Sequence, residues 1–215
     1  MKRVTLFAGH YGSGKTNVAI NYAMHLRSIG LPVVIADLDI VNPYFRTVDS
    51  KDELSALDIR LVSSDYAGSN VDFPALPGEV YSLFDNPDEY AVLDIGGDDR
   101  GAYALGRYKD MILSEDNYEM LLVINKYRPL TATPSLCVEI MNEISAAAGI
   151  PFTGIVNNSN LGAETTVDDV LNSYDYALEV SKMTGLPIVL TTVLEDLDIP
   201  DTFKIKLQKK IFEEV

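Results

Sequence analysis

Cysteine is nearly absent from this sequence, since Cys137 is the one cysteine among its 215 residues. A single thiol excludes an internal disulfide, and such a composition is typical of proteins from a reducing compartment. Long apolar runs are absent as well, because no segment reaches the length of a signal peptide or of a membrane-spanning helix. Both absences predict a cytoplasmic protein that does not span a membrane.

Basic residues are outnumbered: Lys and Arg total 17 against 32 Asp and Glu, and the net charge is −15. An acidic chain repels the phosphate backbone of DNA and RNA at long range, so we expect no nucleic acid partner. Any phosphate group must instead be held by donors at short range. The hydrophobic fraction of 47%, without repeats or linker-like stretches, predicts one globular domain over residues 1–215.

Short β-branched runs alternate with helical patterns along the chain, which is the signature of βαβ units and a parallel sheet. Several of the runs are apolar throughout, as expected for strands that helices cover on both faces. The predicted strands are 3–8, 32–36, 59–63, 90–95, 119–124, 152–156 and 187–192. The predicted helices are 15–29, about 78–85, 101–114, 131–148, 166–184 and 202–213. The pattern predicts an α/β fold: three layers, doubly wound, with a mainly parallel sheet of about seven strands.

Residues 7–16 read FAGHYGSGKT and contain the phosphate-loop motif G-x-x-x-x-G-K-[ST] between a predicted strand and a predicted helix. Glycines let successive backbone N–H groups converge on phosphate oxygens, and the helix N-terminus adds to the attraction. The lysine reaches the β- and γ-phosphates, and the threonine hydroxyl is a hard ligand for Mg²⁺. The predicted nucleotide-binding residues of this loop are Gly9, His10, Tyr11, Gly12, Ser13, Gly14, Lys15, Thr16 and Asn17.

Two acidic clusters stand at the ends of predicted strands. Asp37 and Asp39 follow the second strand, and Asp94 closes the fourth strand before Gly96 and Gly97. Ligands bind at the carboxyl ends of parallel strands, so we expect these carboxylates to face the phosphate loop and to hold Mg²⁺. The alternative for the first cluster is a helix cap or an acidic turn.

With these motifs in place, the chain resembles the MinD/ParA/CobQ type of P-loop NTPases, which belongs to the SIMIBI class. The resemblance spans most of the chain, and Asp37 and Asp39 follow Lys15 by 22 and 24 residues, as in that family. It implies that Thr16, Asp37 and Asp94 are the metal site. It also implies that Lys15 and Asp39 are catalytic, Asp39 by orienting the attacking water, and that Gly97 senses the γ-phosphate.

The base-binding element implied by this resemblance is the end of the second strand after Asp94, where Asn157 and Asn158 stand. An amide donates and accepts hydrogen bonds and so matches the edge of a purine. The segment VINKY at 123–127 looks like the guanine-reading Asn-Lys-x-Asp element, but it lies one strand too early and Arg128 stands where Asp would be. We therefore expect ATP, together with Mg²⁺, rather than GTP.

His10 is a departure from the family, whose positioning and carrier members have a lysine there that reaches the partner's phosphates across a dimer. Histidine is shorter and mostly neutral at pH 7. A homodimer therefore either is absent or uses another cation, for which Arg46 and Arg100 are candidates. The predicted terminal helix 202–213 carries both lysines and acidic residues. Docking onto the domain is favoured for it over binding to a membrane surface.

The function implied by the resemblance is a Mg²⁺-dependent ATPase that acts as a nucleotide-driven switch for an unknown protein partner. One alternative is a ligase or kinase that acts on a small carboxylate substrate, held by residues such as Tyr44, Arg46 and Arg100. Another is a nucleotide-binding regulatory module with negligible turnover. The irregular region 42–90 is the expected partner or substrate surface.

Overall fold

A computed structural model of the chain describes residues 1–39, 47–63, 78–97 and 99–208. Its centre is one sheet in which every pairing among the described strands is parallel. The strands are β1 Val4–Ala8, β2 Val33–Leu38, β3 Arg60–Ser63, β4 Tyr90–Ile95, β5 Tyr118–Ile124, β6 Gly154–Asn157, β7 Ile188–Leu194 and β8 Phe203–Ile205. They lie in the order β3-β2-β4-β1-β5-β6-β7-β8. All seven predicted strands are confirmed, and β8 is an eighth.

α-Helices connect β1 to β2, β2 to β3, β4 to β5, β5 to β6 and β6 to β7, the usual connection between parallel strands, whereas residues 195–202 join β7 to β8 without a helix. The α-helices are α1 Lys15–Ser28, α2 Lys51–Ala56, α3 Asp99–Leu105, α4 Lys109–Ser114, α5 Pro134–Ala148, α6 Val167–Asn172 and α7 Tyr174–Thr184. The 3₁₀ turns are Thr47–Ser50, Gly78–Leu83, Gly106–Tyr108, Pro129–Thr131 and Gly162–Glu164. The helix predicted at about 78–85 is thus a 3₁₀ turn, and the one predicted at 166–184 is divided at Ser173.

The sheet has a separate apolar core on each face, which makes the fold a three-layer structure. Alternation along β1 sends Leu6 to the face covered by α3, α5 and α7, and Phe7 to the face covered by α1 and α2. Each fully buried side chain of this kind stabilises the fold by about 1.5–3 kcal/mol. The predicted three-layer, doubly wound α/β fold is confirmed.

The chain reverses its direction of travel across the sheet beside β1, and this determines where a ligand fits. β2 and β3 lie on one side of β1, whereas β5 to β8 lie on the other. α1 leaves β1 towards one face, and α3 leaves β4 towards the opposite face. The carboxyl edge of the sheet beside β1 is therefore a topological switch point, where ligands usually bind in such folds.

The prediction of a helix over residues 202–213 is wrong in its first part, because Phe203–Ile205 is the strand β8. Residues 209–213 of the predicted helix lie outside the described residues. Phe203 and Ile205 are the more buried residues and Lys204 between them is exposed, which is the period of a strand. Phe203 packs against the rings of Tyr22 and His25 on α1. Within the described residues, no helix is long and apolar enough to cross a bilayer.

Candidate functional site

The phosphate loop predicted from the motif connects β1 to α1. Gly12 and Gly14 have φ values of 79° and 87°, a left-handed conformation that suits glycine. The loop closes on itself, because the backbone N–H of Ser13 donates to the carbonyl of His10 at 3.1 Å. Lys15 and Thr16 begin α1 and are 4% and 6% exposed. Their side chains are thus buried rather than on the surface.

Gly97 brings the loop after β4 against the phosphate loop. A Cβ atom at this position would lie 2.7 Å from the backbone nitrogen of Tyr11 and 2.9 Å from Nζ of Lys15. Glycine is therefore required at residue 97 for the two loops to approach this closely. The residue that was predicted to sense the γ-phosphate lies next to the lysine that was predicted to bind it.

The carboxylates of Asp37 and Asp94 lie beside each other on neighbouring strands. The two residues are register partners in the pairing of β2 with β4. Both side chains point to the α1 face of the sheet, as do Ile35 and Val92 two residues earlier on the same strands. Asp37 is 6% exposed and Asp94 is completely buried. The fold thus brings the two predicted metal-binding carboxylates together at the start of α1.

Thr47 donates a hydrogen bond to each carboxylate of this pair. Its backbone N–H donates to Oδ2 of Asp37 at 3.1 Å, and its hydroxyl donates to Oδ2 of Asp94 at 3.4 Å. The backbone N–H of Asp39 donates to Oδ1 of Asp37 at 3.1 Å. Sequence reasoning missed Thr47, because it lies ten residues beyond Asp37 in the region that carries no motif.

Asp94 is in an electrostatically unfavourable environment for a carboxylate. Complete burial, and next the neighbouring Asp37 carboxylate, raise the pKa of Asp94 to about 8, although Lys15 and the hydroxyl of Thr16 lower it. Its Oδ1 atom is buried and has no hydrogen-bond partner within the described part of the chain. A buried carboxylate oxygen without a partner is unfavourable unless a cation or a donor compensates it.

The residues present fit a Mg²⁺ ion. Mg²⁺ in nucleotide sites is held by one or two carboxylates together with a hydroxyl, water and phosphate oxygens. Asp37, Asp94 and Thr16 are such a set, and the unpartnered oxygen of Asp94 is available to it. No cluster of three or more His, Cys, Asp or Glu side chains suitable for a metal occurs in the described ranges.

Asn157 and Asn158, the predicted base-binding residues, end β6 on the other side of β1. Nδ2 of Asn157 donates to the hydroxyl of Ser173 at 2.8 Å, and its Oδ1 accepts from the hydroxyl of Ser159 at 2.7 Å. Asn157 and Asn158 are each 1% exposed. The side chain of Asn157 thus points towards the junction of α6 and α7, and its contact with a base stays a prediction.

Asn158 supports the phosphate loop directly. Its Nδ2 donates to the carbonyl oxygen of Ser13 at 2.7 Å, and its Oδ1 accepts from the hydroxyl of Thr192 at 2.5 Å. A Cβ at Gly14 would lie 2.3 Å from Nδ2 of Asn158 and would displace this amide, and the positive φ of 87° also favours glycine there. Asn158 and Asn160 line the cavity above the loop, where they are placed to face a ligand.

Asn125, in the segment that looks like the guanine-reading element, is engaged within the protein. Its Nδ2 donates to the carbonyl of Asn160 at 3.2 Å, and its Oδ1 accepts from the backbone N–H of Tyr127 at 3.0 Å. The residue is 1% exposed. This side chain therefore fixes the loop after β5 to the loop after β6.

Arg128 is a cation at the mouth of the loop that sequence reasoning considered merely as a departure from the guanine motif. Its Nε donates to the carbonyl oxygen of Gly12 at 2.9 Å. No carboxylate of the described residues forms an ion pair with it. It borders a cavity of about 330 Å³ whose lining residues are Tyr11, Gly12, Gly14, Lys15, Thr16, Asn17, Arg128, Asn158, Asn160, Leu207 and Gln208. Leu207 and Gln208 were likewise not predicted.

The remaining predicted residues fall in different places. Nδ1 of His10 lies 2.9 Å from the carbonyl of Tyr11, so the ring folds back onto its own loop. Asp39 is 4% exposed and approaches the position of a Cβ at Gly96 to 3.3 Å. Tyr44 and Arg46 lie outside the described residues, as does the side chain of Arg100 in α3.

Solved structures similar to this one include those of FtsY. Cell division protein FtsY of Thermotoga maritima is 20% identical, with a TM-score of 0.62, over 89% of this chain and 62% of that one. FtsY of Mycoplasma mycoides is 19% identical, with a TM-score of 0.59, over 89% and 60%. The signal recognition particle receptor FtsY of Elizabethkingia anophelis, in complex with GDP, is 17% identical, with a TM-score of 0.54, over 97% and 61%.

At these identities the likeness shows the fold, which is that of P-loop NTPases. It does not distinguish the MinD/ParA/CobQ type from other members of that fold. The chain spans about three fifths of the length of these FtsY chains. Comparison with protein-family models and with curated proteins yields no match.

Proposed function

We propose that this chain is a Mg²⁺-dependent P-loop protein that binds and hydrolyses ATP and acts as a nucleotide-driven switch for a protein partner. The observation that carries the proposal is the buried carboxylate of Asp94. It lies beside Asp37, Thr16 and Lys15 and has a buried oxygen without a partner among the described residues. Such a group is unfavourable in an isolated core, and it is explained if a ligand with positive charge completes the site.

The roles of the residues follow from their positions. The loop from Gly9 to Gly14 and the start of α1 hold the phosphates by backbone N–H groups, and Lys15 neutralises the β- and γ-phosphates. Thr16, Asp37 and Asp94 hold the metal. Mg²⁺ supplies the charge that neutralises the phosphate oxygens of the nucleotide. Asp39 orients the attacking water.

Arg128 is proposed as a second cation for the phosphates, supplied by the same chain. It contacts the phosphate loop at Gly12, and its guanidinium lies at the edge of the cavity. His10 replaces the lysine that related proteins send across a dimer interface, and its ring contacts its own loop. A cation from the loop after β5 of the same chain would make hydrolysis independent of dimerisation, so a homodimer is not required by this proposal.

The switch is proposed to involve the segments after β2 and β4. A Cβ at Gly101, in the first turn of α3, would lie 2.6 Å from Cα of Gly96, and one at Gly96 would lie 3.3 Å from Oδ1 of Asp39. α3 in turn packs against α5. A γ-phosphate that moves Gly97 would therefore displace α3, and the partner would read that displacement.

ATP is proposed over GTP because the residues near the base position are amides rather than carboxylates. Asn158 and Asn160 line the cavity, and Asn125 is engaged by the loop after β6. Guanine nucleotides are the alternative, since the FtsY of Elizabethkingia anophelis was solved in complex with GDP. Direct competition between the two nucleotides distinguishes these possibilities.

The test is a titration of the full chain with fluorescent ATP and Mg²⁺, followed by measurement of phosphate release. Lys15→Ala should weaken binding at least 100-fold, whereas Lys182→Ala, a control with a 75% exposed side chain, should not. Arg128→Ala should weaken it about tenfold, and the matched control Arg107→Ala, also exposed, should leave it unchanged.

Asp39→Ala should retain ATP binding and lose multiple-turnover hydrolysis. Equal phosphate release from this variant would contradict the role given to Asp39. Wild-type protein that binds GTP more than tenfold more tightly than ATP would reassign the nucleotide. Wild-type protein that binds neither would refute the proposed function.

A further inference from the structure

The segment after β8, residues 206–208, runs back along α1 towards the phosphate loop; we call it the C-terminal strap. The backbone N–H of Lys206 donates to Oδ1 of Asn21 at 2.8 Å, and Nδ2 of Asn21 donates to the carbonyl of Lys206 at 3.0 Å. One helical turn nearer the loop, Oδ1 of Asn17 accepts from the backbone N–H of Gln208 at 3.2 Å. Two asparagines on one face of α1 therefore fix the course of the strap.

The far end of the strap is held by a different part of the site. Nε2 of Gln208 donates to the hydroxyl of Ser50 at 2.5 Å. Ser50 ends the 3₁₀ turn that begins at Thr47, the residue that contacts Asp37 and Asp94. The strap thus bridges α1 and the segment behind the carboxylates, and Leu207 lies between its two anchored residues.

Leu207 and Gln208 form a wall of the cavity above the phosphate loop. Asn158, Asn160 and Arg128 also line it, and so does the loop itself. Leu207 is 41% exposed. Tyr11 and Leu207 are the large apolar side chains among the lining residues, and the others are polar, charged or glycine.

The side chain of Leu207 cannot stabilise a bound phosphate chain, because phosphate oxygens form no favourable interaction with an apolar group. The flat apolar face of a nucleobase does gain from burying that side chain. Asn17, which anchors the strap, directly follows Thr16 of the phosphate motif. The strap thus lies beside the start of α1, next to the phosphate loop.

We infer that the C-terminal strap forms one wall of the nucleoside subsite, with Leu207 packed against the base of the bound nucleotide. The inference rests on the proposed nucleotide-binding function. It separates the site into a phosphate half, held by the loop and Lys15, and a nucleoside half, completed by the C-terminal part of the chain. Removing Leu207 therefore weakens ligands that carry a base and leaves ligands without one unaffected.

The experiment compares Mg²⁺-ATP with inorganic tripolyphosphate and Mg²⁺, both titrated by calorimetry into the full chain. Leu207→Ala should weaken ATP binding about fivefold and change tripolyphosphate binding by less than about twofold. The matched control is Leu178→Ala on α7, whose side chain is 49% exposed, and it should change neither affinity. Asn21→Ala, which releases the strap from outside the cavity, should reproduce the selective loss of ATP affinity.

Equal ATP affinity in wild type and Leu207→Ala would overturn the inference while leaving nucleotide binding intact. An equal loss for ATP and tripolyphosphate in both variants would also overturn it, because the strap would then merely support the loop. A wild-type protein that binds neither ligand would refute the proposed function itself, and the inference with it. The tripolyphosphate arm makes these failures distinguishable.

Discussion

The carboxyl edge of the sheet has two halves, one on either side of β1. They differ in how completely their buried polar side chains are hydrogen-bonded within the protein. On the β4 and β2 side, Asp94 has a buried oxygen without a partner in the described part of the chain, and burial raises its pKa to about 8. On the β5 and β6 side, Asn125, Asn157 and Asn158 each make side-chain hydrogen bonds with both the donor and the acceptor of the amide.

This difference separates a half that leaves a buried polar atom for a ligand to satisfy from a half whose amide groups are already satisfied by the fold. A polar group satisfied within the protein contributes to stability, whereas an unsatisfied one lowers stability until a ligand arrives. We call the first the carboxylate half and the second the amide half. Substitutions in the two halves should consequently have opposite effects on the ligand-free protein.

The largest effect is expected from Asp94→Asn in the carboxylate half. The variant loses a metal-binding charge, so Mg²⁺-dependent hydrolysis should fall at least 100-fold. The ligand-free protein should become more stable, because an amide is easier to bury than a carboxylate. Urea unfolding in the presence of a chelator, together with phosphate release, measures both changes.

The gain in stability depends on pH in a defined direction. The folded-state pKa of Asp94, about 8, lies above its ordinary value of 3.8. Between these values the folded protein retains a proton that the unfolded chain has released, so wild-type stability falls as the pH rises. The advantage of Asp94→Asn should therefore grow by up to about 4 kcal/mol between pH 5 and pH 8 and then stay level. A variant less stable than wild type at pH 9 would contradict the comparison.

In the amide half, Asn158→Ala should have the opposite effect and destabilise the ligand-free protein by about 2–3 kcal/mol. It leaves the carbonyl of Ser13 without its donor and the hydroxyl of Thr192 without its acceptor, both in the interior. Asn172→Ala, at an exposed position on α6, is the control and should change stability by less than about 0.5 kcal/mol. The free energy of unfolding in urea at pH 7, with a chelator present, measures both changes. An Asn158→Ala variant more stable than wild type would contradict the distinction between the two halves.

The carboxylate half was largely predictable from the sequence, because its signals are local. Asp94 closes an apolar strand, and Asp37 follows Lys15 at a characteristic spacing. Likewise, several of the seven predicted strands are apolar throughout, as expected for strands covered by helices on both faces. What the sequence did not reveal here is Thr47, whose contacts with the carboxylates arise from the return of the chain over the sheet.

The amide half was less predictable, since its contacts join distant segments. Arg128 meets Gly12 across 116 residues, and Gln208 meets Asn17 across 191. Neither pairing leaves a local pattern. β8 was mistaken for part of a helix because apolar residues at 203, 205, 207 and 211 fit both periods over so short a stretch. Its pairing with β7 is a tertiary contact that decides between them.

The smallest effect is expected at Cys137, which is buried beneath the amide half. Alkylation of its thiol should be slow in the folded protein. Sγ of Cys137 lies 2.7 Å from the hydroxyl of Tyr176, and that hydroxyl donates to the carbonyl of Thr131 at 2.5 Å. Burial raises the pKa of the Cys137 thiol to about 11, although the contact with Tyr176 lowers it. At pH 8 about one thiol in a thousand is then ionised, against about a quarter in an unfolded chain.

Alkylation of the native protein by iodoacetamide at pH 8 should therefore be at least 100-fold slower than alkylation in urea, measured by mass spectrometry. The native rate should rise about tenfold per pH unit up to pH 10 without a plateau, because the folded-state pKa lies above that range. Over the same range the unfolded chain loses its thiol proton first, so stability falls as the pH rises. A plateau near pH 8.5 would mean that Cys137 is exposed by local opening, and that the amide half is less rigid than its hydrogen bonds imply.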